Sequence, residues 1–136
     1  MEQLDVTNAM KRIAVTNACV AGSTFVNVDA GRLHMENINL SGTKITDANM
    51  SDLEIDGAQL GGAYIHNIGL PPEGHPNYEP GKTQRPLRFE NCMLNGSTIA
   101  DCDLSGVELT NCTMTGLTID GIPVEELLEA YKKLNR

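Results

Sequence analysis

The sequence predicts an all-β solenoid, a chain that turns a corner every five residues, and three observations carry that expectation. The first is spacing. Val15, Val20, Phe25, Ala30, Met35, Leu40, Ile45, Met50, Ile55, Leu60, Ile65 and Leu70 stand five apart. At an apolar content of 40%, a run of this length arises by chance about once in 10⁵ trials. The second is an inner row two places earlier: Ile13, Ala18, Ser23, Val28, Leu33, Ile38, Thr43, Ala48, Leu53, Ala58, Ala63 and Ile68. All are small or apolar, and only Ser23 and Thr43 are polar. The third lies two places after each centre, where Asn17, Gly22, Asn27, Asn37, Gly42, Asp47, Asp52, Gly57, Gly62 and Asn67 recur and Arg12 and Arg32 are the exceptions. Glycine enters left-handed backbone space without a Cβ penalty, and Asn and Asp do so more readily than other residues. A period of five fits neither the helix, at about 3.6, nor the strand, at about 2.

Composition agrees with a narrow, layered interior. The 136 residues suit a single domain over 1–136. Aromatic content is 4%, with no Trp, so a core must come from Leu, Ile, Val, Met, Ala and Cys rather than from large rings. The formal charge is −8 and the pI about 4.7. That balance disfavours direct nucleic-acid binding through phosphates and leaves room for a basic partner. Met1 to Ile13 carries no apolar core of a secretory signal. No apolar run approaches the roughly 18–20 residues of a membrane span. A cytoplasmic location with no membrane association is the expectation.

Taken in order, the beat is firm from Val15 and extends back to Met10, which places the first coils at about 6–70. It stops after Leu70. Residues 71–86 contain five of the six prolines together with Gly74, His75, Tyr78 and Gly81. Proline cannot donate to a ladder, so this stretch is a loop leaving the coil. The beat resumes, shifted by one residue, at Phe89, Leu94, Ile99, Leu104, Leu109, Met114 and Ile119, with corners at Asn91, Gly96, Asp101, Gly106, Asn111, Gly116 and Gly121. These coils run over 87–121. A helix is expected over 123–134. Pro123 suits a first turn, Glu125 and Glu126 precede Lys132 and Lys133 as the helix dipole prefers, and Val124, Leu127, Leu128, Tyr131 and Leu134 form an apolar stripe. It is expected to cap the open end of the solenoid or to contact a second copy there, giving a monomer or a homodimer through an end of the solenoid.

Ala48-Asn49-Met50-Ser51-Asp52, Ala58-Gln59-Leu60-Gly61-Gly62 and Cys102-Asp103-Leu104-Ser105-Gly106 resemble the loose A(D/N)LXX motif of pentapeptide repeat proteins. The resemblance covers roughly residues 8–121 without the loop. It implies a right-handed quadrilateral parallel β-helix with four blocks per coil, each coil climbing about 4.8 Å. Some members of that family are acidic, resemble B-DNA in shape and bind DNA gyrase.

Little in the sequence carries chemistry. Cys92, Cys102 and Cys112 are ten apart at inner-row positions and are expected to be buried small hydrophobes, while Cys19 is expected to be exposed. No CxxC or His accompanies them, so no metal and no cofactor are expected. His34, His66 and His75 are scattered, and no nucleophile–base pairing is seen, so an enzyme is not expected. Charge has functional scope. A twenty-residue coil would set Glu36 beneath Asp56, His34 beneath Glu54 and Arg32 beneath Asp52, and Asp52, Glu54 and Asp56 would form an acidic ridge. The expected interaction surface is Asp52, Glu54, Asp56 and Glu36, with His75 and Tyr78 of the loop. The function expected is a non-enzymatic protein-interaction or scaffold module, its partner unknown. The alternative is a DNA mimic that modulates DNA gyrase or another type II topoisomerase.

Overall fold

A computed structural model describes residues 2–136, and it forms the corners that the spacing predicts. Each predicted corner from Asn17 to Asn67 and from Asn91 to Gly121 has positive φ, Arg32 included. The corners are of two alternating kinds. At one kind a backbone bond closes a turn from the centre residue to the third residue on: Ser23 N–H to Val20 O (3.1 Å), Leu33 to Ala30 (3.1 Å), Thr43 to Leu40 (3.0 Å), Leu53 to Met50 (3.2 Å), Ser97 to Leu94 (3.1 Å), Val107 to Leu104 (3.1 Å) and Leu117 to Met114 (3.0 Å). The glycines at the third position of these turns, such as Gly42 at 74° and Gly106 at 72°, have the φ of about +80° that a type II turn requires there. At the other kind the backbone bends without closing a bond. Asn17, Asn27, Asn37, Asp47, Asn67, Asn91, Asp101 and Asn111 sit there at 51° to 55°, close to the left-handed helical value of about 57° that Asn and Asp tolerate. The five-residue beat is therefore a ten-residue unit, with glycine favoured at the closed turn and Asn or Asp at the open bend.

The residue before several closed turns ties them from outside. Asp29 Oδ1 accepts Gly31 N–H (3.0 Å), Asn39 Oδ1 accepts Ser41 N–H (2.9 Å), Asn49 Oδ1 accepts Ser51 N–H (3.1 Å) and Oγ–H (2.8 Å), and Asp103 Oδ1 accepts Ser105 N–H (2.9 Å) and Oγ–H (2.6 Å). These are Asx turns, in which a short polar side chain stands in for a backbone acceptor.

The solenoid is not formed, and the expectation of a parallel β-helix is corrected here. Among the described residues the strands are β1 (Thr118–Ile119) and β2 (Ile122–Pro123), which pair antiparallel with Thr118 opposite Pro123 and Ile119 opposite Ile122. No coil-to-coil ladder joins the blocks at 6–70 or 87–121. The physical reason lies in where the backbone bonds go. Corners are satisfied by partners three residues away, whereas a ladder needs each block to meet one about twenty residues on and to offset the entropy of that closure. Among the described residues the segments between corners make no backbone–backbone bond to a neighbouring coil. The apolar rows follow: Val20 is 50% exposed, Leu40 44% and Ile65 67%, and Val124 at 8% is the one buried residue among those described. The accessible surface is 14785 Å², roughly twice the ~7,000 Å² of a packed chain of this mass.

The chain divides into two units, one ending at Gly62 and the other spanning Ala63–Arg136. The second unit holds the regular structure. Helix α1 (Val124–Leu134) follows directly on β2, within the residue of its expected start. Glu125 and Glu126 lie in its first turn and Lys132 and Lys133 in its last, and Asn135 closes it by donating both its N–H (3.2 Å) and Nδ2–H (2.8 Å) to Tyr131 O. Val124 anchors it, buried itself and donating its N–H to Leu117 O at 2.9 Å. With no coil end to cover, α1 packs on the hairpin instead, and Tyr131 (66%) and Leu134 (85%) stay exposed. The expected capping role, and the homodimer through an end of the solenoid, lose their premise. The loop at 71–86 is a run of turns, closed by His75 N–H to Pro72 O (3.0 Å), Tyr78 N–H to His75 O (2.9 Å) and Lys82 N–H to Glu79 O (3.3 Å).

Candidate interaction surface

Part of the first unit's two apolar rows, within residues 13–43, faces an open trough. The trough has a volume of about 1370 Å³, and Ile13, Val15, Phe25, Leu33, Met35 and Leu40 are among the residues lining it. The rows line it because residues two apart on an extended segment share a side, and each corner returns the next block to the same pattern. His34 and Glu36 stand in the lining as well, with His34 Nε2 3.5 Å from Glu36 Oε2. Sequence reasoning assigned these rows to a closed core and so missed the trough, although its signal was the same periodicity.

The predicted acidic residues all belong to this unit and are exposed. Asp52 occupies the third position of the Met50–Leu53 turn at φ 63°. Glu54 and Asp56 follow it before the corner at Gly57. The structure thus brings Asp52, Glu54 and Asp56 together within one block, but by sequence proximity alone. The stacking of Glu36 under Asp56 and of His34 under Glu54 is absent, since no coils are stacked, and His34 pairs with Glu36 on its own segment. Arg32 holds its corner at φ 61°.

His75 and Tyr78 lie in the second unit, joined by the Tyr78 N–H to His75 O bond. His75 Nδ1 also accepts Asn77 N–H at 3.1 Å, which leaves Nε2 as the nitrogen directed to other partners. Lys82 and Glu79 pair at 3.0 Å to close the loop's last turn. A pair unforeseen in the sequence lies just before the loop: the Tyr64 and His66 rings stack with centroids 4.1 Å apart and planes 13° off parallel. Asn67 Nδ2 lies 3.1 Å from His66 Nδ1. Their signal was the same i, i+2 relation.

The cysteines depart from expectation. Cys92, Cys102 and Cys112 are exposed rather than buried. Each thiol donates to the carbonyl two residues back, on Glu90 (3.2 Å), Ala100 (3.2 Å) and Thr110 (3.3 Å). The repeat reproduces one local geometry three times, but no core closes over it. Cys19 is exposed as expected. Among the described residues no group of three His, Cys, Asp or Glu side chains is placed to hold a metal ion. The Ser105 hydroxyl and N–H hold the Asp103 carboxyl below its usual value. Among the described residues no helix is long and apolar enough to cross a membrane.

No protein family, curated protein or solved structure matches this chain.

Proposed function

We propose that this chain is a non-enzymatic, cytoplasmic protein-interaction module whose first unit binds a basic, amphipathic polypeptide segment. The observation that carries the reading is the open trough of about 1370 Å³, walled by Val, Ile, Leu, Phe and Met side chains. It is larger than the roughly 300–1,000 Å³ of small-molecule pockets, and Val15, Val20, Phe25, Leu33 and Met35 stand exposed along it. A polypeptide segment fits such a volume better than a metabolite. The net charge of −8, with Glu36 in the lining and Glu54 and Asp56 exposed nearby in sequence, favours cationic groups on the apolar partner. The motif resemblance to pentapeptide repeat proteins supports a binding rather than a catalytic role.

The test titrates the intact chain with a fluorescent Leu/Lys amphipathic peptide and with its Leu/Glu counterpart, at low and moderate salt. The reading expects saturable binding of the cationic peptide, weaker at higher salt, and its loss on Leu33→Asp in the trough. Equal binding of both peptides, or binding that Leu33→Asp leaves unchanged, would sink it.

A second reading, favoured by the charge of −8, makes the chain a negatively charged competitor of DNA on DNA gyrase. A supercoiling assay with and without a quinolone separates the two. Inhibition or protection that persists in the Leu33→Asp variant supports the gyrase reading over the trough.

A further inference from the structure

We infer that Asn95 is a self-modifying site, at which the Leu94–Ser97 turn converts spontaneously to an aspartyl and isoaspartyl mixture. Asn95-Gly96 is the chain's one Asn-Gly pair. The reaction needs an Asn side chain free to reach the next backbone nitrogen, a following residue that does not obstruct the approach, and an N–H not committed elsewhere. All three conditions meet here. Asn95 is exposed and occupies the second position of the turn closed by Ser97 N–H to Leu94 O at 3.1 Å. Its side chain makes no hydrogen bond among the described residues, and the Gly96 N–H meets no acceptor there. Gly96 sits at φ 73° with nothing within 4 Å of the place a Cβ would take.

Other asparagines in the repeat are held differently. Asn39 and Asn49 spend Oδ1 on the N–H groups of Ser41 (2.9 Å) and Ser51 (3.1 Å). That bond directs the side chain to the residue two places on, past the nitrogen that must attack it. They are also followed by Leu40 and Met50, whose side chains crowd that approach. The Asx turn thus holds Asn39 and Asn49 away from this reaction, and the Asn95 corner is built without it.

The chemistry needs only water. The Gly96 amide gives its proton to hydroxide, and its nitrogen attacks Asn95 Cγ. The new C–N bond closes a five-membered imide, the Cγ–Nδ2 bond breaks, and the departing NH2 group takes one proton from water, regenerating hydroxide, and leaves as ammonia. Water then opens the ring. Addition at Cγ restores the normal backbone with Asp; addition at the Asn95 backbone carbonyl leaves Gly96 joined through Cγ, as isoaspartate. The net change is one water in and one ammonia out. The site gains a negative charge, and the isoaspartyl product lengthens the backbone by one methylene within a corner. That displaces Ser97 N–H from Leu94 O.

The test incubates the full chain at neutral and mildly alkaline pH and follows each asparagine by peptide mapping with fragmentation that distinguishes isoaspartate. Asn95 is expected to convert first, at least about tenfold faster than Asn39 and Asn49, with isoaspartate among its products and a rate that rises with hydroxide. Gly96→Ala is expected to slow it about tenfold. Asn39 or Asn49 converting as fast as Asn95, conversion without isoaspartate, or intact Asn95 after a free peptide of residues 91–98 has converted would each overturn the inference.

Discussion

Replacing Gly106 by Ala tests the claim that closed turns and open bends impose different demands. Gly106 has φ 72°, and a Cβ built there meets nothing within 4 Å. The cost of Gly106→Ala is therefore a backbone cost alone. Placing an L-residue in left-handed space costs about 1–2 kcal/mol, and the stiffer unfolded chain returns about 0.4–1 kcal/mol. The net is about 1 kcal/mol, which lowers the closed-turn population about fivefold. The reporter is the Val107 amide, which donates to Leu104 O at 3.1 Å, with the Leu117 amide, donating to Met114 O at 3.0 Å, as an internal control. NMR amide temperature coefficients should show Val107 losing its bonded character while Leu117 keeps it. The matching change at an open bend, Asn111→Gly, should leave both amides alone, because φ 53° suits either residue. An unaltered Val107 in Gly106→Ala would refute the reasoning, as would an Asn111→Gly effect of equal size.

Three further outcomes follow from the same geometry. Asn49→Ala removes the acceptor of Ser51 N–H and Oγ–H and should weaken the Met50–Leu53 turn by about 0.5–1 kcal/mol, read from the Leu53 amide; Asn49→Asp should preserve it. The Asp103 carboxyl is held below 3.8 by Ser105, so its ionised form is favoured in the folded turn. Its contribution is present above that value and lost as pH falls through the lowered one, and a carboxyl-detected NMR titration should place its midpoint below the usual aspartate range. Val124→Ala removes the one buried side chain among the described residues. It should cost about 1–2 kcal/mol and reduce the helical circular dichroism of α1, whereas Leu134→Ala at 85% exposure should change it little.

The corners were legible in the sequence almost residue by residue. Every Asn, Asp or Gly assigned to one has positive φ, because local backbone preference needs no partner. Helix α1 was legible for the same reason: its stripe, its charges and Pro123 act within a few residues. The alternation of closed turn and open bend was also written there, in Gly22, Gly42 and Gly62 against Asn17, Asn27, Asn37 and Asn67, though a five-residue reading merges the two. Coil closure was not legible. The rows from Val15 to Leu70 permit a ladder, but periodicity says nothing of the free energy that must bring residues twenty apart together. The misplaced cysteines follow from that single error, since Cys92, Cys102 and Cys112 were buried only if a coil closed around them. Of the interaction surface, the exposure of Glu36, Asp52, Glu54 and Asp56 and the turn joining His75 to Tyr78 were within reach of the sequence. The trough was not, because it exists only where the core was expected.

The most direct test of the account is amide hydrogen exchange resolved by residue over 13–119. The account predicts protection confined to the amides that close turns, such as Ser23, Thr43, Leu53, Ser97 and Val107, and to β1, β2 and α1, with near-unprotected exchange in the segments between corners. Protection running continuously through those segments, block after block, would show a ladder joining them and would contradict it.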